Sequence, residues 1–215
     1  MKQSTEQKID DLIARYPALA PCRPSLHEAT SALVECYAHG GKLLVCGNGG
    51  SAADAEHIVG ELMKGFLLPR PLDDEMRGRL NDVAPERADY IAKNLQGTLA
   101  AISLVDAVAL NTAFANDQAP DLSMAQQVLG LGNRGDTLLG ISTSGNSKNV
   151  IYAMDVARAK GLTTISLTGE SGGKLKAASK ICVCAPSSET YKIQEYHLPI
   201  YHMLCIAVEN EFFCE

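Results

Sequence analysis

The sequence predicts an α/β fold, a parallel β-sheet covered by helices on both faces, and three features predict it. Five short apolar runs, the mark of strands buried on both sides, recur along the chain. Helix-length stretches separate them, which is the order that builds parallel β-α-β units. Two of the runs end in glycine- and hydroxyl-rich turns that lead into helices, as ligand-binding turns at the carboxyl ends of parallel strands do.

Composition agrees with this and removes several alternatives. The chain's 215 residues suffice for one domain, or one domain with an arm, and for a core that needs no disulfides. Hydrophobic residues at 46% and charged residues at 20% exclude a disordered chain, a collagen and a coiled-coil rod. A net charge of −6 argues against a protein that neutralises nucleic-acid phosphates, so no nucleic-acid partner is expected. No run reaches about 18 apolar residues, so no membrane span is expected. The N-terminal MKQSTEQKIDDL lacks the apolar core of a secretion signal. The seven cysteines form no C-x-x-C pair and lie mostly in apolar runs. They read as buried, reduced thiols, and a cytoplasmic location is expected.

Residues 4–38 read as helices. Leu12, Ile13, Tyr16 and Leu19 recur at helical spacing, as do Leu26, Ala29, Leu33 and Tyr37, and three prolines, Pro17, Pro21 and Pro24, punctuate the join. After Gly40-Gly41 the pattern changes. Strands are expected at Lys42–Cys46, Ala100–Val105, Thr137–Ser142, Thr163–Thr168 and Ile181–Ala185. Helices are expected at 51–66, about 87–97, 147–160 and 172–179, with a long final helix at Tyr191–Phe213 that Pro199 should start or bend. Between Pro69 and Gly97 eleven charged residues of mixed sign mark an insertion, read as a solvated loop and helix. The expected division is a helical arm over residues 1–38 and an α/β domain over 39–215 with the charged insertion at about 69–97.

Four constellations carry chemistry. The first is Cys46-Gly-Asn-Gly-Gly-Ser51, where a strand ends and a helix opens near Ser51. Glycines let the backbone approach a ligand, and a helix start offers unpaired amides and a partial positive charge. Ser51 is also a plausible N-cap, with Asp54 three residues on. The second is Gly140-Ile-Ser-Thr-Ser-Gly-Asn-Ser147, with four hydroxyls, of Ser142, Thr143, Ser144 and Ser147, in six residues. A turn needs one or two such residues; four with a glycine read as a neutral cradle for phosphate oxygens. The third is His57 and Glu61, four apart on one helix face, with His57 about 9 Å along the axis from Ser51. Taken alone, such a pair is more commonly a surface hydrogen bond. The fourth is Gln194-Glu-Tyr-His-Leu-Pro-Ile-Tyr-His202 on the final helix. Its two ends lie about 80° apart around the axis, and spacing does not separate His202 from His197.

The three glycine, serine and histidine motifs together resemble the phosphoheptose isomerases, which are sugar-isomerase (SIS) domain proteins, and the resemblance runs over nearly the whole chain. It implies a flavodoxin-like five-stranded parallel sheet and a homotetramer with active sites lined by more than one subunit. It implies a small-molecule sugar phosphate as substrate, sedoheptulose 7-phosphate or a related ketose phosphate, isomerised to a heptose 7-phosphate aldose through an enediol. On that resemblance Glu61 and His202 are the catalytic pair. Asn48, Gly49, Gly50, Ser51, Ser142, Thr143, Ser144 and Ser147 surround the phosphate, and Gln194, Asn116 and Asp117 are candidate substrate contacts, the last two in a loop after Phe114. In metal-bound relatives His57, Glu61, Gln194 and His202 hold Zn2+. The chain departs from the family pattern at Tyr191, where an aspartate is usual, and in its longer 69–97 stretch. Two other readings use the same fold without chemistry: a replication-initiator-binding regulator and a phosphosugar sensor. The retained Glu61 and His202 weigh against both.

Overall fold

A computed structural model describes residues 1–214 of the chain. Five strands form one sheet: β1 (Leu43–Gly47), β2 (Ala101–Ser103), β3 (Thr137–Ile141), β4 (Thr163–Thr168) and β5 (Ile181–Cys184). Every pairing is parallel and the order is β2-β1-β3-β4-β5. That is the flavodoxin-like doubly wound arrangement, in which the order reverses between β1 and β3. All five residues of β1 and of β3 are buried, which explains why these strands read as continuous apolar runs.

Alternate residues of each strand serve opposite faces. Leu43 and Val45, with Leu139, Ile141, Ile165 and Leu167, face a core built with α1 (Gln3–Arg15), α2 (Arg23–Ala38), α3 (Gly50–Met63) and α10 (Thr190–Phe213). Leu44, Cys46 and Leu138 face a second core with α7 (Ser123–Leu131), α8 (Lys148–Ala159) and the short α9 (Leu175–Ala178). The first two helices are joined by a 3-10 turn at Pro17–Cys22, where the clustered prolines stop one helix and start the next. Leu12, Leu26 and Leu33 pack into the first core.

The charged stretch holds two helices, α4 (Asp74–Val83) and α5 (Pro85–Asn94). Asp73 caps α4 by accepting the amide of Met76 at 2.7 Å. α4 buries no residue and α5 only Ala88 and Ala92, so this part of the chain is surface. A further helix, α6 (Val108–Asp117), follows β2 and also buries no residue. It carries no amphipathic stripe toward a core, which is why neither it nor its boundary shows in the apolar pattern. α10 runs unbroken through Pro199 instead of starting there. The carbonyl that Pro199 leaves without a helical donor is that of Glu195, an exposed residue.

Among the described residues Cys22, Cys36, Cys46, Cys182, Cys184 and Cys205 form no disulfide. Cys22, Cys36, Cys46 and Cys205 are buried, and burial pushes the Cys46 thiol up to about 12. Among the described residues, no helix is long and apolar enough to cross a membrane.

Candidate active site

The two hydroxyl-rich turns meet at the carboxyl ends of β1 and β3, the adjacent strands at which the sheet order reverses. The β1 turn passes through Gly49, whose φ of +56° strongly favours glycine, and α3 opens at Gly50. Gly49 therefore occupies the N-cap position. Ser51 lies inside the first turn, buried, and is not the side-chain cap that its sequence position suggests. The β3 turn passes through Gly145, at φ +65°, where a Cβ would stand 2.2 Å from the carbonyl oxygen of Gly172. Two reciprocal side-chain amide bonds tie the turns together: Asn48 Nδ2 donates to Asn149 Oδ1 at 3.0 Å, and Asn149 Nδ2 to Asn48 Oδ1 at 2.8 Å.

Ser142 and Ser147 share a hydroxyl–hydroxyl bond of 2.9 Å across the second turn, Ser144 accepts the amide of Asn146 at 3.1 Å, and Thr143 is half-buried. Two helix N-termini, of α3 and α8, open from these neighbouring turns, so their unpaired amides and dipoles favour an anion there.

From this seat α3 and α10 run side by side in the same direction. At the near end the Gln194 amide packs on Gly50, so closely that a Cβ there would lie 2.3 Å from Nε2. About two turns further on, His57 and Glu61 of α3 meet Tyr201 and His202 of α10. His57 Nε2 lies 3.1 Å from Glu61 Oε1, and Tyr201 Oη lies 3.0 Å from His57 Nδ1. The His57 and His202 rings are 5.0 Å apart, edge to face, and Phe66 closes the other side of His202 at 5.4 Å. His57 is half-exposed, whereas the Glu61 side chain is 13% exposed. Among the described residues the buried His202 Nε2 atom has no hydrogen-bond partner.

Burial alone would raise the Glu61 carboxyl. Hydrogen bonding and charge from Lys64, whose Nζ is 2.8 Å from Oε2, together with His57, outweigh burial and hold it below the usual carboxylate value. Burial, then the neighbouring His57, lowers His202, with Glu61 opposing. The corner thus holds an ionised carboxylate beside an imidazole that is neutral near pH 7.

The structure separates the two histidines that spacing left equal. His197 is fully buried, with Nε2 3.2 Å from the carbonyl of Thr168, and burial lowers its pKa to about 4. The unfolded chain, with an ordinary value near 6.5, binds this proton more tightly than the folded one. Stability is therefore complete above about pH 6.5 and falls as pH drops toward 4, by about 3 kcal/mol in all. Urea midpoints measured between pH 7 and 4.5 should fall steeply in the wild type. The His197→Gln protein, which keeps a donor for Thr168 but cannot titrate, should show a flatter dependence.

Asn116 and Asp117 are not in a loop. They end α6, both exposed, and bond to each other at 2.8 Å, because the helix continues past Phe114. Among the described residues no group of three or more His, Cys, Asp or Glu side chains is arranged to hold a metal ion. Sequence reasoning missed Tyr201, Asn149 and the buried pair Arg70–Glu209. Arg70 Nε lies 2.9 Å from Glu209 Oε1, and its guanidinium caps the carbonyls of Leu62 and Glu61 at 2.8 and 3.3 Å. No motif announces these residues; Arg70 is hidden among the charges of a surface stretch.

The family model for the SIS domain matches residues 19–102 and 82–169. The chain is 39% identical to the phosphoheptose isomerase of Helicobacter pylori strain P12, over 95% of this chain and 97% of that protein. It is 32% identical to the phosphoheptose isomerase of Akkermansia muciniphila, over 99% of each. Its fold is similar to the solved structure of a phosphoheptose isomerase from Francisella tularensis. The TM-score is 0.70 at 32% identity, covering 97% of this chain and 94% of that one.

Proposed function

The chain belongs to the phosphoheptose isomerases of the SIS-domain family, and from that membership we propose that it interconverts sedoheptulose 7-phosphate, or a related ketose phosphate, with the corresponding heptose 7-phosphate aldose. The observation that carries the reading is the packing of α3 along α10, which sets the two hydroxyl-rich helix starts at one end and the Glu61–His57–His202 corner further along. The rise of about 9 Å from Ser51 to His57 suits an extended sugar phosphate.

The phosphate sits on the turn amides of Asn48, Gly49 and Gly50 and the hydroxyls of Ser51, Ser142, Thr143, Ser144 and Ser147. Dipoles and hydroxyls, not a lysine or arginine, carry the charge. Gln194, leaning on Gly50, meets the chain next to the phosphate. Glu61 accepts the C1 proton of the ketose, leaving a 1,2-enediolate. His202, neutral at rest, takes up a proton from solvent and delivers it to C2, and the O1 proton passes to O2 to complete the aldose. An imidazolium with a lowered pKa gives up its proton readily, which suits His202 to the second step. Asn116 and Asp117, exposed at the end of α6, remain candidate contacts to the sugar.

Zinc held by His57, Glu61, Gln194 and His202, as the resemblance implies, would polarise the carbonyl and stabilise the enediolate. As they stand the side chains are not gathered into a metal centre, but the 3.1 Å between His57 Nε2 and Glu61 Oε1 and the buried, unpaired Nε2 of His202 suit ligand atoms. The proton steps are those of the side chains with or without the ion. A cytoplasmic homotetramer is the proposed assembly. Helix α6, which buries nothing and exposes Val108 and Leu110, is a surface that a subunit contact would cover.

Turnover of sedoheptulose 7-phosphate by the purified protein, with EDTA and then with zinc, tests the reading; no aldose from any ketose phosphate under either condition would sink it. Ser144→Ala should raise KM roughly fivefold, the loss of about one hydrogen bond to an anion, with kcat nearly unchanged. A fall in kcat without a rise in KM would place Ser144 elsewhere.

A further inference from the structure

We infer that Asn111 is a positioning residue for Asn116 and Asp117: its side-chain amide pins α6 to the turn that follows β2 and so sets where the end of that helix stands. The part given to Asn116 and Asp117 rests on the isomerase reading, whereas the pinning of α6 does not.

α6 has no apolar grip on the rest of the chain. It buries no residue, and only Asn111, Phe114 and Ala115 are half-buried. A helix of ten residues has little stability of its own in water, since isolated helices shorter than about 12–15 residues are marginal there. Docking therefore decides both its place and its order. Among the described residues, the side-chain hydrogen bonds that tie α6 to the rest of the chain all involve Asn111. Its Nδ2 donates to the carbonyls of Leu104 and Val105 at 3.3 Å each, and its Oδ1 accepts Gln127 Nε2 at 2.8 Å. The Thr112 hydroxyl, by contrast, bonds within α6, and Asn116 bonds to Asp117.

The groups that receive Asn111 are themselves fixed. Gln127 is buried on α7, whose Met124 and Val128 pack into the second core, and its Nε2 also donates to the Leu104 carbonyl at 2.7 Å. The Leu104 amide donates to the carbonyl of Val45 in β1 at 2.9 Å. The carbonyls settle the hydrogen-bond directions, because they only accept: both side-chain NH2 groups must face them, and the four amide protons then make four bonds. Leu104 follows the last residue of β2, at the carboxyl end of the parallel sheet, the end at which the two hydroxyl-rich turns stand. From Asn111 to Asn116 the helix rises about 7.5 Å, so a tilt at the pin is carried to Asn116 and Asp117.

Asn111→Asp keeps the shape and removes the donors. Residue 111 lies toward the start of α6, where a negative charge does not oppose the helix dipole, so the change acts on docking and not on the helix itself. Hydrogen exchange read by mass spectrometry should show the amides of 108–117 exchanging about tenfold faster than in the wild type, with β1 and β3 unchanged. Thr112→Ala, which removes a hydroxyl bonded within α6, should not speed exchange. For sedoheptulose 7-phosphate, KM should rise about fivefold in Asn111→Asp, with kcat within about twofold. With Asn116→Ala and Asp117→Ala already in place, adding Asn111→Asp should raise KM less than about 1.5-fold, because the contacts it positions are gone. Unchanged exchange in α6 would mean that packing, within the chain or from another subunit, holds the helix, and it overturns the inference. An unchanged KM, or equal rises in KM in both backgrounds, overturns it as well. If the wild type turns over no ketose phosphate, the isomerase reading falls and takes the roles of Asn116 and Asp117 with it. Exchange then decides the pin alone: faster exchange in α6 supports it and unchanged exchange overturns it.

Discussion

Glu61→Gln is expected to lower kcat about 10³-fold while KM for the sugar phosphate stays within about threefold, the pattern of a lost general base. The glutamine keeps the shape of the side chain and its place on α3, but its amide cannot take a carbon-bound proton. The phosphate seat lies about three turns away and depends on the turn amides and serine hydroxyls, none of which touches the Glu61 side chain. Steady-state kinetics would check the split, and calorimetry with the substrate would check that binding survives. A phosphosugar sensor built on the same fold gives the opposite result: affinity unchanged and no turnover to lose. A large rise in KM with kcat intact would mean that Glu61 binds the sugar and does not act as the base.

The second large effect is expected at Glu209, far from any motif. Its carboxylate is fully buried and accepts four hydrogen bonds: from the amides of Phe66, Leu67 and Leu68 at 2.7, 2.8 and 3.2 Å, and from Arg70 Nε at 2.9 Å. Arg70 in turn satisfies the carbonyls of Leu62 and Glu61, which are among those that the last turn of α3 leaves without helical donors. Glu209→Gln turns an amide NH2 toward backbone amides and strands a buried guanidinium. The expected cost is about 3–5 kcal/mol, the loss on breaking a buried pair from one side. For a chain of this size that lowers the melting temperature by roughly 10 °C, measurable by calorimetry. An apolar pair, Arg70→Met with Glu209→Leu, should not restore the loss, because the three amides at 66–68 would still lack an acceptor. Since the same network ends the helix that carries Glu61 and places Phe66 beside His202, kcat should fall in the folded fraction as well. A Glu209→Gln protein as stable as the wild type would show that water or a rearranged loop replaces the carboxylate.

The strand pattern was legible because parallel strands buried on both faces must be apolar at every position. Leu43–Gly47 and Thr137–Ile141 show it most plainly, and the expected β4 matches Thr163–Thr168 residue for residue. The five-stranded flavodoxin-like order came from the resemblance and is the order observed. Surface helices were harder to read. α6 and α4 bury nothing, so no periodicity marks them, and Asn116-Asp117 were expected in a loop for that reason. The glycine and hydroxyl turns were visible because their residue types are unusual for a strand end. The partners of the candidate catalytic residues were not. Tyr201 precedes His202 as one more aromatic in an apolar helix, and Arg70 and Glu209 are 139 residues apart in sequence. Tertiary structure alone brings such residues together, and a local pattern carries no trace of it.

The central claim is that Glu61 and His202 move a proton between C1 and C2 of a ketose phosphate. Proton NMR of sedoheptulose 7-phosphate incubated with the wild-type protein in deuterium oxide tests it most directly. The account predicts a new aldose signal with deuterium at C2, because the proton delivered there comes from an imidazole that exchanges with solvent. Aldose that keeps protium at C2 throughout would mean direct transfer from C1 and contradict the two-residue route, and no aldose at all would contradict the isomerase itself.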